Sequence, residues 1–195
     1  MFQSAENILT PHLDSGERLL WSGQPRGGIR LRAQDAFLIP FSLLWGGFAF
    51  FWEYMAITHV SNAPLPFNII FPLFGVPFVL VGLYFIFGRF LVDARSRART
   101  FYGVTSERII IISGLFSRQI KSLQLRTLTD VSLIHRTDGS GTITFGPTHP
   151  MIAFFPAGAW PGAGRFSPPS FESIERAKEI YDVIRNAQRA TPASA

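Results

Sequence analysis

The chain has 195 residues, 47% hydrophobic and 14% aromatic, with only 16% charged and a formal net charge of +5. An average water-soluble domain carries about 25% charged residues, so part of this chain is expected to lie outside water. It has no cysteine, which excludes disulfide scaffolds, thiolate metal sites and cysteine nucleophiles.

The N-terminal sequence MFQSAENILTPHLDSGER has no basic patch followed by an apolar run, and so does not read as a signal peptide. Residues 1–35 are polar and mixed, with four acidic and four basic side chains. Within them LLWSGQP, from Leu19 to Pro25, predicts a short strand ended by Gly and Pro. A basic stretch from Arg26 to Arg32 follows.

Twelve of the 20 Phe residues then crowd into two stretches, five between Phe37 and Phe51 and seven between Phe67 and Phe90. From Ala36 to Ile57 the sequence AFLIPFSLLWGGFAFFWEYMAI contains one ionisable group, Glu53. At 1.5 Å per residue it reaches about 33 Å, enough for a hydrocarbon core of about 30 Å. Trp52 and Tyr54 near one end suit a membrane interface. The second run, Phe67 to Leu91, carries one charge, Arg89, near its end, where its stem can snorkel outward. Pro72 and Pro77 would break a soluble helix, but a membrane span tolerates them. Two consecutive runs longer than about 18 residues argue against the alternative, a hairpin buried in a large globular core.

The connector Thr58–Pro66 has no Lys or Arg. Arg18, Arg26, Arg30 and Arg32 precede the first span, and Arg89, Arg95, Arg97 and Arg99 accompany the end of the second. The positive-inside rule therefore places the connector outside and both termini in the cytoplasm. The compartment expected is the cytoplasmic (inner) membrane, with the spans themselves as targeting signal.

Beyond residue 92 the pattern is that of a soluble domain. Phe101–Thr105 and Arg108–Ser113 predict two strands around a Ser106–Glu107 turn. Ser117–Leu125 alternates, placing Ile120 and either Leu123 or Leu125 inward. Leu128–Arg136 predicts a strand, TDGSG a tight hairpin turn, and Thr142–Gly146 and Met151–Phe155 further strands. Ala157–Pro169 is a Gly/Pro-rich loop. Ser170 is expected to cap a helix, with Phe171, Ile174, Ala177, Tyr181 and Ile184 as its apolar stripe. The organisation expected is 1–35 as a cytoplasmic segment, 36–91 as the hairpin, 92–189 as a small β-barrel or sandwich capped by a helix, and 190–195 as a disordered tail. In class this is an α+β membrane protein. The Leu19–Pro25 strand, on the same membrane side, is expected to pair with the C-terminal domain.

LLWSGQP before a two-span hairpin, then FYGVTSERIIIISGLFSRQIKSLQLRTLTDVSLI and GSGTITF, resembles the bacterial pleckstrin-homology (PH) domain membrane proteins. The motif positions are Trp21 and Gly23, the Tyr-x-x-Thr-x-x-Arg set of Tyr102, Thr105 and Arg108, and the Asp130–Val131 step. They are read as structural. The resemblance covers about residues 17–187 and implies a PH-like fold of seven strands with a capping helix, but it fixes no activity.

Little chemistry presents itself. Arg89, Arg95, Arg97 and Arg99 form a juxtamembrane cluster that either contacts anionic lipid or only enforces topology. Glu53 is an intramembrane acid, expected near the interface; Asn68 is the one polar residue of the second span's outer side available to it. His12, His59, His135 and His149 are too scattered to ligate metal. Ser113, Ser117, Asp130 and His135 lack the Gly-x-Ser-x-Gly elbow of a hydrolase, and GSG at 139–141 is a turn, not a phosphate loop. The basic excess of residues 92–195 lacks the aromatic interleaving of a nucleic-acid binder. A non-enzymatic module without cofactor is expected, its partners being the bilayer and either another protein or a second copy. The alternative is a small transporter or channel subunit with Glu53 and the second span in its pathway.

Overall fold

The computed structural model describes residues 4–28, 35–60, 63–115, 117–147 and 168–190. The chain forms two compact units: Ile29–Asp93 is one, and Met1–Gly28 with Ala94–Ala195 is the other. The hairpin is thus inserted into the sequence of the sheet-bearing unit.

The sheet-bearing unit contains an antiparallel four-stranded sheet in the order β1 (Leu19–Gly23), β2 (Phe101–Thr105), β3 (Arg108–Ser113), β4 (Gln119–Gln124). A second sheet holds β5 (Val131–His135), β6 (Gly141–Phe145) and β7 (Ser170–Ile174). Among the described residues the two sheets are not closed into a barrel. A short helix, α1 (Ala5–Leu9), precedes β1, and the C-terminal helix α5 spans Ala177–Ala190. The expected pairing of the N-terminal strand is present: β1 lies antiparallel to β2, with Trp21 opposite Val104 and Gly23 opposite Tyr102.

The core lies between the sheets and is capped by α5. Val104, Ile109 and Ile111 come from the first sheet, Ile143, Phe145, Phe171 and Ile174 from the second, and Ala177, Ile180, Ile184 and Ala187 from the helix. Phe171 is its centre, stacked on Tyr102 at 4.6 Å, edge-on to Phe145 at 5.0 Å and 5.7 Å from Trp21. A strand with one wet face would alternate, yet Ile109–Ile112 are all buried. Ile109 and Ile111 face the core, while Ile110 and Ile112 lie under Ile8 and Leu9 of α1. Both faces are covered, so the run is continuously apolar.

Two expectations fail here for reasons of register. Ile120 does not point inward and is 47% exposed. It pairs with Ile112 on the outer face of the sheet, whereas Leu123 pairs with Ile109 and packs on the core. Ser170 does not cap a helix either; Ser170–Ile174 is a strand, and α5 begins at Ala177. Ile143 sits opposite Phe171 and Gly141 opposite Ile174, so β7 carries one extra residue. Ser173 absorbs it in the left-handed region, at φ +54°. Such a bulge returns Ile174 to the face of Phe171, and a three-residue spacing on one strand then mimics the repeat of a helix. The Met151–Phe155 strand, the Gly/Pro-rich loop up to Ser167 and the tail beyond Ala190 lie outside the described residues.

The second unit is a helical hairpin. Helix α2 runs Asp35–Val60; α3 runs Phe67–Leu83 and continues through a π-helical turn, Tyr84–Gly88, into α4, Arg89–Ala98. Pro40, Pro72 and Pro77 lie inside these helices. The contact face of α2 is small, with Ser42, Gly46, Ala49 and Ala56 buried. On α3 the buried residues are Gly75 and Gly82. A Cβ on Gly82 would come within 3.1 Å of the Gly46 Cα, the close backbone approach that small residues permit between apolar helices. Large apolar side chains point away from this seam: Phe37, Leu44, Phe51, Leu73 and Leu91 are among many that are more than half exposed.

Residues 94–190 expressed alone lack β1 and α1, so they are expected to aggregate or remain unfolded. Residues 1–28 joined to 94–190 by a short Gly/Ser linker should fold cooperatively in plain buffer. Circular dichroism and urea denaturation of the two fragments check this, and equal folding of both would contradict it.

Candidate functional site

The most elaborate polar arrangement among the described residues fastens the N-terminal segment to the β2–β3 hairpin. The Glu17 side chain is fully buried and receives two bonds from one guanidinium: Arg108 Nε to Oε1 at 3.0 Å and Nη2 to Oε2 at 2.8 Å. Arg108 Nη2 also donates to the His12 carbonyl at 3.0 Å and lies 2.9 Å from the Asp14 carboxylate. The Asp14 amide donates to Glu17. The Thr105 hydroxyl donates to Glu17 at 2.6 Å and accepts from the Arg108 amide at 2.9 Å, closing the turn between the strands. This gives Thr-x-x-Arg its physical meaning. One residue shapes the turn, and three positions later the other reaches across it to the same carboxylate. Burial pushes the Glu17 carboxyl up, but bonds from Arg108, the Asp14 amide and Thr105 outweigh it and hold it below its ordinary value. The same pairing with Glu17 raises the Arg108 guanidinium.

The other motif residues also make contacts within the fold. The Tyr102 hydroxyl accepts from the Glu172 amide at 3.1 Å, joining the first sheet to β7. Trp21 packs on the core, and its ring lies 2.5 Å from where a Cβ on Gly23 would stand, so that position needs glycine. Asp130 is exposed; its carbonyl accepts from the Gly146 amide at 2.8 Å, closing the β5–β6 pair.

Sequence reasoning found Arg108 but not its partner Glu17, since nothing local links residues 91 positions apart. It also missed Arg26. This side chain bridges Asp138 in the β5–β6 turn and Glu175 before α5, each at 3.0 Å, while its amide donates to the Ser173 carbonyl at 2.9 Å. The Ser140 hydroxyl and amide, ahead of Arg26, hold the Asp138 carboxyl below its usual range. Arg26 also lines a cleft of ≈ 500 Å³ together with Trp21, Ile180, Val183, Arg176 and Glu179.

The juxtamembrane arginines divide into two kinds. Arg95 and Arg99 are exposed, whereas Arg89 and Arg97 are buried at 7%. Arg89 does not snorkel outward: it pairs with Asp35, the first residue of α2, at 2.9 Å, and its guanidinium lies 4.4 Å from the Phe90 ring centroid. Arg97 donates to the Gly28 carbonyl at 2.7 Å. Glu53 is half-buried in the hairpin seam, with Oε2 packed where a Cβ on Gly75 would stand. Neither that oxygen nor Asn68 Oδ1 makes a hydrogen bond among the described residues.

The Ser and His weighed as a hydrolase set are divided between the two sheets. Ser113 ends β3 in one sheet while His135 ends β5 in the other, and no cluster of metal-ligating side chains occurs among them. Two sheets enclosing a core with a C-terminal helix across it place the sheet-bearing unit in the PH-like fold class. The family follows from comparison with known proteins. The model described as "Bacterial PH domain" matches residues 55–188, and the chain belongs to that family. No curated protein and no solved structure matches the chain. PH domains generally are non-catalytic interaction modules, commonly binding lipids or proteins.

Arg108→Met leaves a buried, unpaired carboxylate, and is expected to lower the stability of the sheet-bearing unit by about 3–5 kcal/mol. Because the Glu17 carboxyl titrates below the ordinary Glu value of about 4.3, its contribution is complete above that pH and lost as pH falls through the lowered value. Glu17→Gln should therefore flatten the acid limb of the stability profile. Hydrogen exchange of the β1–β2 amides between pH 3 and pH 6 reads both effects.

Proposed function

We propose that this protein is a membrane-anchored, non-catalytic PH-like module that presents its sheets and C-terminal helix to a partner protein or to the anionic membrane surface. The hairpin crosses the cytoplasmic (inner) membrane twice, with both termini cytoplasmic. The observation that carries the reading is where the apolar side chains of the hairpin go. A hairpin buried in a soluble core would hide its Phe and Leu residues. Here Phe37, Leu44, Phe48, Phe51, Phe67, Leu73, Phe74 and Leu91 are each more than 60% exposed, and lipid is the solvent that suits such a surface. The eight-to-zero arginine asymmetry across the connector supports the orientation.

Anchoring confines the module to a thin layer and raises its effective concentration there, so individually weak contacts suffice. Arg95 and Arg99 are exposed and available to phosphate headgroups. Arg89 and Arg97 are buried against Asp35 and the Gly28 carbonyl, which leaves the exposed pair to carry that role.

One observation favours a transport subunit as a second reading. Among the described residues the Glu53 Oε2 oxygen in the helix seam makes no hydrogen bond, on a hairpin whose second helix contains Pro72 and Pro77, and intramembrane acids are often functional.

Cross-linking in native membranes with partner identification tests the first reading, with Glu53→Gln expected to leave the cross-linked species unchanged. Loss of ion or solute flux from reconstituted vesicles on Glu53→Gln would instead favour the second. A full-length chain that stays monodisperse without detergent overturns both.

A further inference from the structure

Two sheets that do not close leave strand edges, and the edges here differ. Just beyond β1 the Arg26 amide donates to the Ser173 carbonyl of β7, so among the described residues the open edges are those of β4 and β5. β4 has Lys121 in its middle, and a charge on an edge strand discourages the addition of another strand. β5, Val131–His135, has no Lys, Arg, acid or Pro. The Gly146 amide donates to the Asp130 carbonyl and the Arg136 amide to the Ser140 carbonyl, so the even-numbered residues of this stretch bond to β6. In an antiparallel pair the residues between them turn their main-chain groups the other way. The N–H and C=O groups of Val131, Leu133 and His135 therefore point off the sheet, and no hydrogen bond fills that side among the described residues. Beside them Ile134 is 65% exposed. The charges stand just outside the strand, Asp130 at one end and Arg136 at the other, both exposed and each three residues from Leu133.

We propose that the β5 edge is a self-association surface, on which a second copy of this chain adds its own β5 antiparallel about a two-fold axis at Leu133. This rests on the interaction-module reading above and names its partner. In that register Leu133 meets the second copy's Leu133, and Val131 meets the second copy's His135. The outward main-chain groups of one strand thus face those of the other. Asp130 stands opposite the second copy's Arg136 at one end, and Arg136 opposite the second copy's Asp130 at the other. Opposite charges directly across two strands stabilise the pair, and like charges oppose it. A two-fold interface uses the same patch twice, so a strand complements itself only when its charges change sign about its centre, as these do. Sliding by two residues is the smallest shift that keeps each side chain on its face. It sets Asp130 opposite either Ile134 or Asp138, and both ion pairs are lost. A single added strand is a small contact, but anchoring both copies in one membrane raises their effective concentration, so it suffices.

The absence of cysteine makes a directed disulfide possible. In the proposed register Ser132 faces the second copy's Ile134 as a non-hydrogen-bonded pair, with Cα atoms about 4.5 Å apart, within the reach of a disulfide. Full-length Ser132→Cys and Ile134→Cys, carrying different tags, are co-expressed and their membranes oxidised with copper phenanthroline. A disulfide-linked dimer with both tags is expected, in higher yield than Ser132→Cys gives with itself or Ser122→Cys on the β4 edge gives with itself. Adding Asp130→Arg to both copies sets like charges opposite at both ends and should slow cross-linking roughly ten-fold, because two cross-strand pairs are inverted together. Adding Arg136→Asp to that variant should restore the rate, which also shows that the exchanged charges leave the fold intact. Absence of the two-tag product, a yield no higher than the controls, or no recovery on charge exchange overturns the proposal. A Ser132→Cys adduct with a different protein in place of the second copy overturns it as well, and leaves the interaction-module reading standing.

Discussion

Arg108 joins two stretches of chain that the sequence holds apart. Its guanidinium takes both oxygens of Glu17, a residue on the far side of the inserted hairpin, and closes on the His12 carbonyl and Asp14 as well. A fully buried carboxylate in an apolar setting is strongly unfavourable unless its charge and lone pairs are met. Here a bidentate cation, a hydroxyl and a backbone amide meet them, so the N-terminal segment has one favourable place to lie. β1 then pairs with β2, Trp21 reaches Phe171, and Ile8 and Leu9 cover Ile110 and Ile112. Without the segment, one face of the four-isoleucine strand would be open to water.

How much of this could be read from sequence depends on the distance over which each signal acts. The hairpin was plain because hydrocarbon length and Phe density are local properties: the helices observed, Asp35–Val60 and Phe67 onward, bracket the stretches read from composition. β2 and β3 were placed to the residue, since the Ser106–Glu107 turn and the Ile run are equally local. Ile120 misled because strand alternation gives two faces without saying which one is the core; that choice belongs to the partner strand. The start of α5 misled for a subtler reason. The bulge at Ser173 restores Ile174 to the core side, and sequence carries no mark that distinguishes a bulged strand from a first helical turn.

The functional groups divide in the same way. Tyr102, Thr105 and Arg108 stood out by spacing, but what they hold lies far away along the chain: Glu172 for the tyrosine and Glu17 for the other two. Arg26 did not stand out at all, being one of several arginines before the first span, although it fixes the β5–β6 turn and the approach to α5 together. Arg89 was misjudged because its position at the end of an apolar run suits either a snorkelling cation or half of a buried ion pair. Only the location of Asp35 decides between them.

That ion pair bears on how the fold can form at all. Pairing β1 with β2 across a flexible insertion of this length would be opposed by roughly 4 kcal/mol of loop-closure entropy. Among its described residues, however, the insertion folds back on itself. Gly46 against Gly82 and Glu53 against Gly75 keep α2 and α3 in close contact along the seam, and Asp35 with Arg89 closes its base. A hairpin that holds its own ends together removes much of that entropic opposition before any strand has paired. Within the sheet-bearing unit itself, the Arg97–Gly28 bond joins the two chain passages within a few residues of β1 and β2. On this argument the polar groups at the base of the hairpin, costly as they are in an apolar element, offset part of the entropy of closing an insertion of some seventy residues.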